Sequence, residues 1–221
     1  GKEARFIAAV PNKFRWPRFV LYLGALLYWA FGRFRTRMPH YLSEASLIGR
    51  EPVLRAEFTN GGMEYSDCYL YDNDARFVFN FVRTAMDSSA VAANYVRVTK
   101  TDRDDEGWRV LLRDEETGRE FTARAKTLVN ACGPQVDALN QLTGQKTEHR
   151  HVFSKGIHLI VDRVTDSKRI LTSFASDGRL YFAIPMGSRT CIGTTDTRVE
   201  HWDTAVSEDD RQFVLDNANQ L

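Results

Sequence analysis

A single histidine stands out in an apolar stretch of the sequence. His158 lies within the otherwise apolar residues 157–161, directly after Lys155 and Gly156. An imidazole titrates near neutral pH and can accept a proton from a substrate hydroxyl group. A lone histidine in such a strand is more often a structural residue with satisfied hydrogen bonds, so the residues alone leave both roles open.

Two glycine-containing segments have the composition of ligand-contacting turns. Residues 130–134 read Asn-Ala-Cys-Gly-Pro, where the small Ala131 and Gly133 let the backbone approach a ligand closely and the next helix start can face a phosphate. Residues 193–196 read Gly-Thr-Thr-Asp and end a predicted strand. Both segments also fit ordinary turns, in which glycine is needed only for the backbone conformation and Asp196 caps the next stretch of chain.

Other chemistries have less support in the sequence. His149 and His151 would share one face of a strand, but no third ligand lies at a convincing spacing, so we expect no metal site. Neither Gly-x-Gly-x-x-Gly, a P-loop nor Gly-x-Ser-x-Gly occurs, which argues against a complete nucleotide site and a serine hydrolase. The three cysteines are widely separated and show no Cys-x-x-Cys spacing, which favours a reducing, cytoplasmic compartment.

The composition is that of a globular protein with an uneven distribution of charge. Of the 221 residues, 43% are hydrophobic, and the net charge of +1 gives no reason to expect a nucleic-acid partner. Within residues 1–40, Glu3 is the single acid, against eight bases: Lys2, Arg5, Lys13, Arg15, Arg18, Arg33, Arg35 and Arg37. The longest apolar run, residues 19–31, is shorter than the roughly 20 residues of a membrane-spanning helix. We therefore expect it on a membrane surface or in a core.

The hydrophobic pattern predicts the elements that must position these residues. We expect helices from Pro17 to about residue 31 and over residues 43–49, 75–86 and 136–142, and a last one capped by Ser207. We expect strands over residues 5–10, 62–71, 91–101, 108–114, 119–125, 127–131, 152–161, 169–174, 179–185 and 189–194. The predicted class is α+β, divided into an N-terminal helical region, residues 1–60, and an α+β body, residues 61–221.

The order of four short segments is more specific than any one of them. Tyr-Ser-Asp-Cys at residues 65–68 with Asp-Ala-Arg at 74–76 comes first, followed by residues 130–134, Lys-Gly-Ile-His at 155–158, and residues 193–196. From about Arg15 to the end, the chain resembles the FAD-dependent glycerol-3-phosphate dehydrogenases. That resemblance implies a D-amino-acid-oxidase-like fold, in which a mixed or antiparallel sheet with flanking helices forms the substrate domain beside a doubly wound FAD domain.

The resemblance also implies roles for individual residues. It places His158 in the substrate pocket, with Thr195 and Asp196 bordering the active site. It places the following residues beside FAD: Val98, Ala131, Cys132, Gly133 and Thr194. The family commonly has Thr or Ala where this chain has Cys132, and Trp where it has Gln135.

The activity implied is oxidation of sn-glycerol 3-phosphate to dihydroxyacetone phosphate, with electrons passing to FAD and then to quinone. The resemblance implies a peripheral position at the inner face of the cytoplasmic membrane. Two alternatives stay open: a glycerol-3-phosphate oxidase that uses oxygen, and a non-catalytic membrane-associated module. We expect the family's glycine-rich segment to precede this chain and further family sequence to follow it, so this segment alone should neither hold FAD tightly nor turn over.

Overall fold

The computed structural model describes residues 2–12, 18–70, 73–202 and 204–220. Its helices are α1 (Arg18–Phe31), α2 (Glu44–Arg50), α3 (Asp74–Asp87), α4 (Val136–Thr143) and α5 (Glu208–Asn219). Its strands are β1 (Lys2–Pro11), β2 (His40–Leu42), β3 (Thr59–Tyr69), β4 (Val96–Asp104), β5 (Gly107–Asp114), β6 (Glu120–Ala125), β7 (Phe153–Lys155), β8 (His158–Asp162), β9 (Ile170–Phe174), β10 (Leu180–Met186), β11 (Arg189–Gly193) and β12 (Thr197–Val199). The predicted α+β class is confirmed.

The chain divides into two compact units. The first comprises Gly1–Asn73, Lys155–Thr197 and Ala205–Leu221, and the second comprises Asp74–Ser154 and Arg198–Thr204. This division differs from the predicted one at residue 60, because β1 lies inside the main sheet of the first unit, between β3 and β9. A sheet strand at residues 2–11 ties the start of the chain to residues far along the sequence.

The first unit is built on a seven-stranded sheet with the order β2-β3-β1-β9-β10-β11-β8. All neighbouring strands run antiparallel except β1 and β9, which are parallel. One face carries the apolar core, in which Ile7, Leu47 and Val214 are fully buried. The Tyr181 hydroxyl donates to the Val214 carbonyl at 2.7 Å and joins β10 to α5. On the opposite face, α1 contacts β3.

Local sequence accounts for the helix ends in this unit. Ser43 caps α2 by accepting a hydrogen bond from the Ser46 amide, as expected for a serine at this position. At α5, Ser207 and Asp210 form a reciprocal capping box. No helix in the described part of the chain is long and apolar enough to cross a membrane.

A buried cluster of charged side chains connects β1, β3 and the residue before β9 within the large sheet. Glu64 on β3 accepts hydrogen bonds from Arg5 on β1 at 3.2 Å and from Arg169, next to β9, at 3.0 Å, and it also pairs with Arg50. Burial alone would raise the pKa of Glu64, but the hydrogen bonds from Arg5 and Arg169 outweigh it and lower that pKa. The carboxylate is therefore held ionised inside the unit.

The second unit contains a three-stranded antiparallel sheet, β4-β5-β6. Helix α4 packs on β4, where the Thr101 hydroxyl donates to the Leu142 carbonyl at 2.7 Å. Gly144 ends α4 in the left-handed conformation, which is the usual glycine cap. A further two-stranded ladder pairs β7 with β12.

Three sequence predictions are wrong in detail. The strand expected over residues 127–131 is irregular, because no ladder in the described part of the chain pairs with it. The strand expected over residues 152–161 is broken at Gly156 and Ile157 into β7 and β8. His149 and His151 lie in an irregular segment, not on a strand face. The helix start expected at Pro17 falls outside the described residues.

Candidate functional site

The structure brings two of the predicted segments together at one edge of the large sheet. We call residues 155–158 the histidine segment and residues 193–196 the threonine segment. Gly193 on β11 pairs with His158 on the edge strand β8. The two segments therefore lie side by side, although they are far apart in sequence.

The Thr195 hydroxyl holds the histidine segment in place. It accepts a hydrogen bond from the Ile157 amide at 3.0 Å and donates to the Lys155 carbonyl at 3.4 Å. Thr195 is buried, and the Ile157 side chain belongs to the core. Because the hydroxyl is occupied by backbone on both sides, its position suits support of the histidine segment rather than contact with a small molecule.

His158 is exposed, and it lies on the face of the sheet opposite the core, because the alternate residues Leu159 and Val161 pack on the core. A β-carbon built on Gly193 would lie 2.9 Å from Cδ2 of the His158 ring and 2.8 Å from the Ile157 carbonyl oxygen. Gly193 also has a φ of 151°, which glycine tolerates far better than other residues. Glycine at this position therefore leaves room for the imidazole beside the neighbouring strand.

Lys155 anchors the other end of the histidine segment to α5. Its ammonium lies 2.5 Å from the Asp210 carboxylate, and both side chains are nearly buried, at 12% and 3% exposure. Asp210 also accepts hydrogen bonds from the Thr197 hydroxyl and from Ser207. Hydrogen bonds from Lys155 and Ser207 hold the pKa of Asp210 well below its usual range. The aspartate therefore stays ionised and ties β7, β12 and α5 together.

Thr194 and Asp196 have different surroundings from Thr195. The half-buried Thr194 hydroxyl donates to the Thr195 carbonyl at 2.9 Å. Asp196 is exposed, and its backbone carbonyl accepts a hydrogen bond from Arg179. A β-carbon on Gly156 would come within 3.1 Å of the Thr194 hydroxyl. The threonine segment thus packs closely on the histidine segment, and Asp196 lies at its exposed end.

The remaining predicted site residues lie in the second unit. Ala131, Cys132 and Gly133 form an exposed turn that leads into α4. The Asn130 amide stabilises this turn by donating to the Val136 carbonyl and the Asn140 side chain. Gly133 has a φ of 52°, and open space surrounds the position of a β-carbon there. Val98 lies half-buried on β4, the strand that α4 contacts.

Sequence reasoning missed the Lys155–Asp210 pair. Asp210 reads as a first-turn acid of a capped helix, and nothing in its local sequence indicates a partner more than fifty residues earlier. The signal available was Lys155 itself, because a lysine inside an apolar strand needs an anion when it is buried. A search for that anion among later capping acids would have found Asp210.

Comparison with known proteins decides the family. The profile of the family described as FAD dependent oxidoreductase matches residues 14–221. The chain belongs to this family. The predicted resemblance is therefore confirmed, and the known members of the family set the context for the histidine and threonine segments.

The most similar relatives include two aerobic glycerol-3-phosphate dehydrogenases. The protein from Bacillus subtilis (strain 168) is 32% identical over 186 residues, and that from Staphylococcus aureus (strain USA300) is 27% identical over the same length. Each match covers 81% of this chain and 33% of the relative. The chain thus spans about a third of the length of the curated relatives it matches.

Solved structures agree with the fold. The glycerol-3-phosphate dehydrogenase from Bacillus halodurans, complexed with FAD, superposes with a TM-score of 0.73 at 27% identity, over 100% of this chain and 40% of that one. Glycine oxidase from Geobacillus kaustophilus gives a TM-score of 0.65 at 21% identity, over 99% of this chain and 54% of that one. The second likeness concerns the fold alone.

Proposed function

We propose that this chain is the substrate-facing segment of an FAD-dependent enzyme that oxidises sn-glycerol 3-phosphate to dihydroxyacetone phosphate. The names of the relatives from Bacillus subtilis, Staphylococcus aureus and Bacillus halodurans support the substrate. The observation that carries the proposal is the placement of His158. It is an exposed imidazole beside Gly193, on backbone fixed at both ends by Thr195 and Lys155.

In this proposal His158 accepts the proton of the substrate hydroxyl. When bound, FAD supplies the oxidation, because it takes hydride from the carbon that bears this hydroxyl. A ring nitrogen of the exposed imidazole is the atom that takes this proton. Thr195 fixes the backbone that carries His158, and Asp196 presents a carboxylate at the border of the site.

We propose that Ala131, Cys132 and Gly133 hold part of FAD, with Val98 and Thr194 contributing to its surroundings. The turn is exposed, and Gly133 leaves open space at the start of a helix. Backbone amides at such a position suit a phosphate oxygen. The exposed turn with its glycine thus fits a phosphate group of FAD. It supplies only part of the contacts that a bound dinucleotide needs.

We further propose that α1 places the enzyme on the inner face of the cytoplasmic membrane, where quinone accepts its electrons. Four apolar residues spaced four apart, Phe19, Leu23, Leu27 and Phe31, are exposed along this helix. Such spacing puts them on one broad stripe, and Arg33, Arg35 and Arg37 follow it. An apolar stripe with a cationic end is typical of a helix that lies in a membrane interface.

Flotation with anionic vesicles tests the membrane contact. Changing Arg33, Arg35 and Arg37 to Gln should weaken binding at low salt, because each cation near the surface contributes about 1 kcal/mol. A matched control changes three exposed arginines of the second unit, Arg97, Arg109 and Arg113. Equal flotation of both triple variants and the parent would contradict the proposal.

Anaerobic flavin reduction tests the activity. Addition of sn-glycerol 3-phosphate to the full-length flavoenzyme should bleach the flavin absorbance, and His158→Ala should slow this bleaching by about 10²- to 10⁴-fold. His40→Ala is the matched control, since His40 is an exposed histidine on the opposite edge strand, β2, of the same sheet. Unchanged bleaching in the His158 variant would overturn the assignment of this residue.

A further inference from the structure

One polar cluster in the first unit gathers residues at which the chain enters or leaves that unit. The chain enters at Lys155, leaves after Thr197 and returns at Ala205. The Lys155 ammonium contacts the Asp210 carboxylate at 2.5 Å and donates to the Ala205 carbonyl at 2.9 Å. The Thr197 hydroxyl donates to the same carboxylate at 3.0 Å. We call these four residues the aspartate cluster.

The Asp210 carboxylate at the centre of the aspartate cluster has a fixed orientation. One of its oxygens accepts from the Thr197 hydroxyl. The other contacts the Lys155 ammonium and accepts from the amide and the hydroxyl of Ser207, at 3.0 Å and 2.7 Å. Because both oxygens are occupied and the side chain is buried, the carboxylate holds all of these groups in place.

Contacts lead from the aspartate cluster to Thr195 by two paths. The first path runs along Lys155 to its carbonyl oxygen, to which the Thr195 hydroxyl donates at 3.4 Å. The second path runs through Thr197 and back along two residues of chain to Thr195. The hydroxyl on which the first path ends also accepts the hydrogen bond of the Ile157 amide. Asp210 therefore constrains Thr195 from two sides.

The backbone directly before His158 depends on these contacts. Strand β7 ends at Lys155 and β8 begins at His158, so Gly156 and Ile157 belong to neither strand. The Ile157 amide bonds to the Thr195 hydroxyl instead of a ladder partner. A β-carbon on Gly156 would lie 3.1 Å from the Thr195 carbonyl oxygen, which shows how closely the two segments pack. The position of Thr195 therefore sets the position of the backbone that leads into His158.

We propose that Asp210 is a positioning residue for His158 in the oxidation of the substrate. The inference rests on the proposed function, in which His158 takes the proton of the substrate hydroxyl. Asp210 lies in α5, which packs on the core side of the sheet, so it does not touch the substrate. It acts through Lys155 and Thr195 on the backbone that carries the imidazole. A misplacement of about 1 Å at a reacting group can cost on the order of 10²-fold in rate.

Stability alone does not account for a buried ion pair at this place. Replacing both members of a buried pair by uncharged residues of similar size often leaves stability unchanged or raises it. An exposed pair, Asp162 with Arg189, links β8 to β11 without the cost of burying charges. The Lys155–Asp210 pair differs in that its contacts lead to Thr195 and to the backbone before His158, which favours the positioning role.

A double variant without either charge separates positioning from folding. Lys155→Met with Asp210→Asn leaves no buried charge unpaired, so the full-length flavoenzyme should unfold at nearly the temperature of the parent. The new carboxamide can still accept hydrogen bonds from Thr197 and Ser207. Anaerobic bleaching of the flavin at saturating sn-glycerol 3-phosphate should nevertheless slow by about 10- to 100-fold. The substrate concentration that gives the half-maximal rate should change much less, because the substrate contacts themselves are kept.

Two further sets of variants control this test. Asp162→Asn with Arg189→Met removes the exposed pair between β8 and β11 and should leave the bleaching rate and the thermal midpoint unchanged. Thr197→Val interrupts only the second path from Asp210, at an exposed residue whose replacement is compatible with folding. It should slow bleaching by a smaller factor than the double variant does, and Thr197→Ser, which keeps the hydroxyl, should restore the rate.

A second measurement distinguishes this proposal from the proposed function. The NMR signals of the His158 ring, recorded on histidine-labelled protein, should shift in the Lys155→Met and Asp210→Asn double variant and stay in place in the control. If the parent is not bleached by sn-glycerol 3-phosphate, the proposed function fails, and the ring signals still decide whether Asp210 positions His158. Parental bleaching or unshifted ring signals in the double variant would overturn the positioning role. If the double variant unfolds early, the comparison of Thr197→Val with Thr197→Ser decides, and equal rates in both would overturn it.

Discussion

Lys155 and Asp210 form a nearly buried ion pair, with their nitrogen and oxygen atoms 2.5 Å apart. Lys155 begins the histidine segment, and Asp210 lies in the first turn of α5 and accepts hydrogen bonds from Thr197 and Ser207. The pair thus connects the strand that leads to His158 with a helix on the core side of the sheet. Loss of this ion pair should therefore lower the stability of the fold and shift the His158 imidazole.

Asp210→Asn should lower the free energy of unfolding by about 2–4 kcal/mol, because it leaves Lys155 as an uncompensated buried charge. Asp162→Asn is the control, since the Asp162–Arg189 pair is exposed and should contribute less than about 1 kcal/mol. Urea unfolding followed by tryptophan fluorescence measures both changes. Similar losses in the two variants would show that burial adds nothing to the Lys155–Asp210 pair.

Glu64→Gln should remove a pH-dependent part of the stability. The pKa of Glu64 is lower in the folded protein than in the unfolded chain, so its contribution is present above the unfolded value near 4.3 and is lost as the pH falls through the lower folded value. The parent should therefore lose more stability than the variant between about pH 5 and pH 2. Urea midpoints at several pH values measure this difference, with Glu57→Gln, in an exposed pair with Arg55, as the control. Parallel curves for parent and Glu64→Gln would contradict the prediction.

Thr195→Val should destabilise the site without changing its volume much. The substitution leaves the buried Ile157 amide without its acceptor, at a cost of about 1–3 kcal/mol. Thr195→Ser keeps the hydroxyl and should restore most of the loss. Amide hydrogen exchange at Ile157 reports the contact itself, and exchange that stays slow in the valine variant would argue against the hydrogen bond.

Gly193→Ala should displace the His158 ring. The added methyl would lie 2.9 Å from the imidazole and 2.8 Å from a backbone oxygen, and alanine disfavours a φ of 151°, so we expect a loss of about 2 kcal/mol or more. Gly187→Ala, at a turn glycine with φ 65° and open space around it, should cost about 1 kcal/mol. The NMR signals of the His158 ring should shift in the first variant only. Unshifted signals in Gly193→Ala would show that the ring does not rest on this glycine.

Much of the local structure can be predicted from sequence patterns, because it depends on neighbouring residues. The helix near Ser43 and the helix capped by Ser207 lie where the pattern predicts them, and the meander of β4, β5 and β6 agrees with its glycine turns. The break at Gly156 and Ile157 could not be read locally, since the Ile157 amide there bonds to Thr195, which lies between β11 and β12 and is distant in sequence. The same limit applies to Asp210 and to the cavity between α1 and the large sheet, whose walls come from five separate elements. The roles of the site residues remain predictions.

The parallel pairing of β1 with β9 is the place where two halves of the large sheet meet, and we call this pairing the seam. Strands β1 to β3 form one half, β8 to β11 form the other, and three residue pairs of β1 and β9 join them. The cavity between α1 and the large sheet takes Ala8 and Met63 from one half and Thr172 and Leu180 from the other, so it exists only when the seam is closed. A molecule bound in this cavity would contact both halves of the sheet. Its binding free energy would therefore stabilise the association of the two halves.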